Sequence, residues 1–282
     1  MKKSHLIRNC LLVFVLVVVV ALGISIFVSQ NVLSVTRYEY SNEKIVSPFR
    51  IVQITDLHNH EFGKANRRLV TKIKEEQPDV IFMTGDMLNG DGENADVVVE
   101  LIQQLKGSAP VYFSLGNHEV DYMEQNEQLI RDLEDAGAVV LEKEYLDTEI
   151  NGQKVRIGGV YGYVLAREFK DGSEQRFMEE FQDTDRFKIL LSHVPEGVLL
   201  WKSMETWDMD LVFSGHVHGG QVRLPFIGGL FDPEEGYFPT YTKGKFECGN
   251  GTMILSAGLG SSASVPRIYN LPEIVVCQVD VE

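Results

Sequence analysis

The sequence is short of cysteine: Cys10, Cys248 and Cys277 are the only three in 282 residues. So few thiols exclude a disulfide-stapled scaffold and a cysteine-ligated zinc site, leaving only an isolated Cys248–Cys277 pairing open. Positive charge is scarce as well, with 26 Lys and Arg against 41 Asp and Glu, a formal charge of −15. The first 28 residues hold Lys2, Lys3 and Arg8 and no acid, so the rest balances 23 cations against 41 acids. A surface that acidic repels phosphate backbones and anionic membranes at long range, and no nucleic-acid partner is expected. No internal repeat or low-complexity tract is visible. Histidine is sparse too, seven in all, so where each one falls is informative.

What the chain does have is enough apolar content for a substantial core, 44%, and one long apolar run. Residues 1–9 form a basic tail, read as cytosolic. Residues 10–28 carry no charge and are rich in Val and Leu, long enough to span a bilayer as one helix. A cleaved signal peptide is the competing reading, because Ala21-Leu22-Gly23 loosely resembles a cleavage site. Continuation of the run to Val28 favours an uncleaved anchor. The basic residues ahead of it place the rest of the chain outside the cytoplasm, although Arg37 and Lys44 weaken the asymmetry. Residues 29–48 read as a spacer leading into an edge strand, and residues 49–282 as one folded domain.

Within that domain, short apolar runs end in chemistry-bearing residues. Asp210 to Gln221 reads D-L-V-F-S-G-H-V-H-G-G-Q, a buried strand followed by His216, His218 and a glycine turn. In extended backbone, positions i and i+2 share a face, so both imidazoles are expected to converge. Imidazole is the commonest protein metal ligand. Four other runs behave alike: residues 50–58 end in Asp56 and His58, 80–86 in Asp86, 111–119 in Asn117 and His118, and 187–193 in His193. Open α/β sheets place their sites at such strand ends. Helical periodicity over 64–76, 94–106 and 123–136 alternates with the first strands, which implies a largely parallel sheet. From Ala138 onward short runs dominate (139–141, 155–160, 189–191, 211–213, 253–255, 274–279), which predicts a second sheet packed on the first.

D-L-H at Asp56 to His58, G-D at Gly85-Asp86, G-N-H-E at Gly116 to Glu119, His193, and G-H-V-H at Gly215 to His218 form a five-block set. In this order the set resembles the calcineurin-like metallophosphoesterase superfamily. The tail G-G-Q-V-R-L-P and the N-terminal anchor are similar to the bacterial membrane-anchored, YkuE-like branch, which includes enzymes acting on UDP-diacylglucosamine. The resemblance implies an α/β fold, a four-layer αββα sandwich of two mixed β-sheets flanked by helices and preceded by one transmembrane helix. It implies a phosphoesterase, cleaving a phosphoester or pyrophosphate bond by a two-metal mechanism in which a bridging hydroxide attacks phosphorus. Asp86 would bridge the ions; Asp56, His58 and His218 would complete one, and Asn117, His193 and His216 the other. Mixed O and N ligands suit Mn, Fe, Zn, Ni or Co, and suit Ca or Mg poorly. His118 would be the catalytic residue, protonating the leaving oxygen or stabilising charge on the phosphoryl group, and in extended backbone it would point away from Asn117. The implied partners are a phosphorylated small-molecule or lipid-linked substrate and, through the N-terminal helix, the membrane.

Around these, Glu119 reads as a residue that positions its loop, and Asn89 as a support for the ligands or a turn residue. His60 reads as a loop histidine at the rim, and His5 has no role. Val222 to Phe246 carries Leu224, Phe226, Ile227, Leu230, Phe231, Tyr237, Phe238 and Tyr241 between prolines and glycines, and reads as a long loop. Its rings would either pack onto the sandwich or wall a lipid-linked substrate. A non-catalytic scaffold at the membrane surface is the alternative function, disfavoured because the ligand positions and His118 are all present. The metallo-β-lactamase class needs an early H-x-H-x-D-H, which this chain lacks.

Overall fold

The computed structural model describes residues 2–92, 94–161, 172–232, 235–262 and 265–282. It opens on one continuous helix, α1 (Lys2–Asn31). From His5 to Asn31 this helix is long and apolar enough to cross a membrane, and none of its most apolar window is buried. Its last turns differ, because Ser25 and Ser29 are buried against the domain.

The strands in chain order are β1 (Ser34–Asn42), β2 (Phe49–Ile54), β3 (Val80–Thr84), β4 (Val111–Ser114) and β5 (Ala138–Leu141). There follow β6 (Glu144–Ile150), β7 (Gln153–Val160), β8 (Phe187–Ser192) and β9 (Leu211–Ser214). Four two-residue strands come next: β10 (Arg223–Leu224), β11 (Gly228–Gly229), β12 (Phe231–Asp232) and β13 (Gly236–Tyr237). The last are β14 (Gly244–Cys248), β15 (Gly251–Leu255) and β16 (Glu273–Val281). Helices α2 (Arg67–Glu75), α3 (Asp96–Leu105), α4 (Asn117–Met123), α5 (Leu129–Ala136), α6 (Ser173–Gln182) and α7 (Glu196–Leu199) connect them.

Two six-stranded sheets result, ordered β1-β16-β2-β3-β4-β5 and β14-β15-β9-β8-β7-β6. Both are mixed. In the first, β2 to β5 are parallel while β16 runs antiparallel to β2. In the second, β7, β8, β9 and β15 are parallel and the edges β6 and β14 antiparallel. Period-two alternation sorts the side chains. Val52, Ile54, Ile81 and Met83 pack outward against α2, α3 and α5. Their neighbours Ile51, Val80 and Phe82 pack inward against Ile189, Leu191, Leu211 and Phe213 of the second sheet. The outer face of that sheet is covered by Phe177 and Phe181 of α6 and by α7. This is the expected four-layer αββα sandwich. Phe82 is central, its ring 6.2 Å from Tyr112 and 5.4 Å from Phe213, and burying a side chain of this kind contributes about 1.5–3 kcal/mol.

Several local expectations need correction. Residues 139–141 and 274–279 belong to the first sheet, as β5 and β16, not to the second. A strand buried on both faces, as β16 is over Glu273–Cys277, looks the same in sequence wherever it pairs, and β5 is a short edge strand with Val139 exposed. The helix expected over 123–136 is instead α4 followed by α5. Because α4 starts at Asn117, the extended-backbone argument that separates Asn117 from His118 does not apply. The helix expected over 64–76 begins as a short 3₁₀ turn in which Ala65 is left-handed. Within Val222 to Phe246 the chain forms two small antiparallel pairs, β10 with β11 and β12 with β13, and then enters β14. Pro233 of that segment lies outside the described residues.

Candidate metal centre

The parallel strands put five C-terminal ends at one edge of the sandwich. Thr84 pairs with Ser114 and Ile54 with Met83, so β2, β3 and β4 finish level; Leu191 pairs with Phe213 in the other sheet. Beyond those ends the backbone stops being extended. Asp56, His58, Asp86, His216 and His218 adopt φ of 52°, 49°, 52°, 74° and 47°. The convergence of His216 and His218 therefore comes from left-handed turns and not from a shared strand face. Asp and His tolerate that region better than most residues, and strain of this kind gathers at functional sites.

The turns aim the side chains at one volume. Asp86 Oδ2 is 3.0 Å from His193 Nε2 and 3.9 Å from His58 Nε2. Asp56 Oδ1 is 3.8 Å from His218 Nε2 and 4.0 Å from His193 Nε2. Asp56, His58 and His218 offer ligand atoms within 4.8 Å of one another; so do Asp86, His193 and His216, and so do His58, Asp86 and His118. Asp86 and His58 each belong to two of these groups, and Asp86 is the carboxylate that two of them share. Asn117 follows Gly116, where a Cβ would collide with Asp86, so glycine is needed for this close approach.

The residues fit a cation. His58 Nε2, His193 Nε2, His218 Nδ1 and Asn117 Oδ1 are all buried without a hydrogen-bond partner. Leaving such atoms unsatisfied costs about 1–3 kcal/mol each, which a bound ion would offset. The 3.0 Å approach of His193 to Asp86 lacks hydrogen-bond alignment, as two ligands facing a common ion would. Their far sides are held. His193 Nδ1 donates to Thr84 O at 2.7 Å, and His58 Nδ1 to Asn89 Oδ1 at 3.1 Å, leaving each Nε2 directed toward the centre.

Burial pushes His58 down to about 4 and His216 to about 3, and holds His218 well below its usual value. These three are neutral at pH 7, the coordinating form. Burial lowers His193 too, but the charges of Asp86 and Asp56 outweigh it and raise it to about 10. Burial raises Asp56 to about 6, against the charge of His193. At Asp86 burial acts upward, yet His193 and His58 hold the carboxyl below its ordinary range. Two buried carboxylates that draw a proton onto His193 make a site built for positive charge.

His118 is partly exposed, as His216 and His218 are. Its ring meets that of His58 edge-on at 4.7 Å. Gly90 N–H donates to its Nδ1 at 2.9 Å, so the neutral ring carries its proton on Nε2, 3.3 Å from Ser262 Oγ. Glu119 underlies the centre. Its carboxylate accepts the N–H groups of Asp86 and Gly116 on one oxygen, and of Met87 and Leu88 on the other. Burial and the Asp86 charge push it up to about 7, against the N–H groups of Gly116 and Asp86. Glu119→Gln puts an amide NH₂ against two of those donors. Stability should fall by about 2–6 kcal/mol, since each stranded donor costs about 1–3. A lower urea midpoint at unchanged slope would show this; an unmoved midpoint would contradict it.

Supports from the far end of the chain are absent from the sequence reading. Asn270 Nδ2 donates to the carbonyls of His218 and Gln221. Arg267, 3% exposed, donates to those of Ala257, Gly260, Asn270 and Leu271. The available signal is the stretch from Met253 to Gly260, a strand ending in Ser-Ala-Gly-Leu-Gly at the same edge. His60 lies on Phe62 and lines a cavity of about 200 Å³ with Ser29, Gln30, Gly260 and Arg267. His5 lies exposed on α1.

Residues 49–220 match the family model described as calcineurin-like phosphoesterase. The uncharacterized metallophosphoesterase YkuE of Bacillus subtilis is 27% identical over 234 residues, covering 81% of this chain and 78% of that protein. Phosphodiesterase YaeI of Escherichia coli is 25% identical over 237 residues, covering 83% of each. Among solved structures, a 5'-nucleotidase precursor from Thermus thermophilus superposes with a TM-score of 0.46 at 16% identity. That match takes in 74% of this chain and about half, 48%, of the nucleotidase. The family model spans the ends of β2, β3, β4, β8 and β9, where the carboxylates and imidazoles converge, and the chain belongs to the calcineurin-like phosphoesterase family, alongside YkuE.

Proposed function

We propose that the protein hydrolyses a phosphodiester or pyrophosphate bond with the help of two divalent cations, on a lipid-linked or nucleotide-sugar substrate. The observation that carries this is the convergence of Asp56, His58, Asp86, His193, His216 and His218 from four strand ends, with His118 after a fifth within ligand distance of His58 and Asp86. Asp56, His58 and His218 with Asp86 would hold one ion; Asp86, Asn117, His193 and His216 would hold the other. Such ligands suit Mn, Fe, Zn, Ni or Co. When bound, a pair of this kind activates water near neutral pH and neutralises phosphoryl charge. His118, with Nδ1 occupied by the Gly90 N–H, keeps its proton on Nε2 at the open side of the centre and would donate a hydrogen bond from it to the departing oxygen, stabilising the charge that develops there. Thr84 and Asn89 keep His193 and His58 in the tautomers that ligation needs. The relative named as a phosphodiesterase supports the diester reading.

Purified protein supplied with Mn²⁺ should turn over bis-p-nitrophenyl phosphate, lose that activity to a chelator, and recover it on readdition. No turnover with any of Mn, Zn, Ni, Co or Fe would leave the fold acting as a scaffold.

The domain is proposed to lie outside the cytoplasm, with Lys2, Lys3 and Arg8 of α1 inside. Protease added to spheroplasts should digest it, and full protection would reverse the orientation.

A further inference from the structure

The end of α1 is pinned to the rim of the metal centre. Tyr269 N–H donates to Ser25 Oγ at 2.9 Å, and Asn270 N–H to Ser29 Oγ at 3.2 Å. Asn270 in turn holds the carbonyl of His218 at 2.7 Å, and Arg68 donates to Asn31 O at 3.1 Å. Depth along α1 therefore carries over to the loop around Tyr269. Arg8 is the last charge before the apolar run. A hydrocarbon layer of about 30 Å takes about 20 residues at 1.5 Å each, reaching from Cys10 to about Ser29. Ser25 then lies inside the outer edge of the layer, and Tyr269 stands at the same level.

The neighbouring hairpin starts from that level too. Val222 bridges Ile268, and Arg223 N–H donates to Ile268 O at 2.9 Å. From there the β10–β11 turn extends Phe226, fully exposed at 110%, and Ile227 at 63%. Val265 and Tyr269 beside α1 are exposed as well, at 53% and 64%. None of these side chains packs onto the sandwich. Phe226 and Tyr269 also hold φ of 67° and 53°, a conformation bulky residues avoid unless something returns the cost. Single exposed apolar residues are ordinary, but a cluster of them at the end of an apolar helix marks a contact surface.

We infer that the β10–β11 turn, with Phe226 and Ile227 at its tip, together with Val265 and Tyr269, inserts into the interfacial layer of the bilayer beside α1. The seat is apolar, because the acidic domain has no long-range attraction to anionic lipid. Tyr and Phe at such a seat take the place that aromatic residues prefer at the head-group level. The centre, one hydrogen bond from Asn270 through His218, then opens at the height of lipid head groups. This inference rests on reading α1 as a membrane span.

The test uses the full chain in liposomes of zwitterionic lipid. Phe226→Trp is compared with Val46→Trp, an exposed site beyond the opposite end of β1, after subtracting the emission of the unsubstituted chain. The seat predicts that brominated lipid quenches Trp at 226 while aqueous iodide does not, with the reverse at 46. Quenching at 226 by iodide, or by neither agent, overturns it. Phe226→Trp should turn over a soluble phosphodiester at the unsubstituted rate, which checks that the variant is folded. Carbonate extraction separates the two ideas. A chain released by carbonate refutes the span and the seat together. A chain that stays embedded with Trp at 226 open to iodide refutes the seat alone.

Discussion

Asp86→Ala should leave the protein with no tightly bound cation and lower phosphodiester turnover by on the order of 10⁴-fold or more. Asp86 and His58 each belong to two candidate groups, but of the two only Asp86 is a carboxylate, its Oδ2 near His193 on one side and His58 on the other, so other single ligand replacements should be milder. A shared carboxylate offsets the repulsion between neighbouring cations, and without it neither ion is held well. Elemental analysis under metal excess checks the first part and steady-state kinetics the second. Loss of only one ion would show that Asp86 serves a single ion. The loss should be chemical more than structural, since the turn at Asp86 is also held by Glu119 through its backbone N–H. The folding cooperativity of the variant should therefore persist.

His118→Ala should retain the metals and slow turnover by about 10²–10³-fold, the usual cost of removing one hydrogen-bond donor from charge that develops in the transition state. The proton on Nε2 is set by the Gly90 N–H bond to Nδ1, and that face is open toward Ser262. A substrate whose leaving group departs without needing a proton should be spared most of the deficit. Equal deficits for good and poor leaving groups would remove the role at the departing oxygen. His118 also lies within ligand distance of His58 and Asp86, so the metal count of this variant matters. Loss of an ion would reassign His118 as a ligand.

The site was legible in the sequence because its residues sit directly after apolar strand segments. His193 comes one residue past β8, and Asp56, Asp86 and His216 two past β2, β3 and β9. Strand–helix alternation up to Ala136 and the short apolar runs after it carried the layered fold. How the ligands converge was not legible. Left-handed φ at Asp56, His58, Asp86, His216 and His218 is a tertiary outcome that no local pattern announces. The same holds for β16, whose Val275 and Cys277 face one layer and Ile274 and Val276 another; being apolar on both faces, it is free in sequence terms to join either sheet. Ser25 and Ser29 look like neutral interruptions of an apolar run, yet they fasten α1 to the rim through Tyr269 and Asn270. Polar residues that bond to distant backbone carry no periodic signal, and Arg267 and Asn270 were missed for that reason.

The most direct test of the central claim is a count of ions per folded chain. Metal-free protein titrated with Mn²⁺ should bind two ions, and phosphodiester turnover should rise with the second. A single ion at saturation, or two ions with no turnover of any phosphoester, would contradict a two-cation hydrolase.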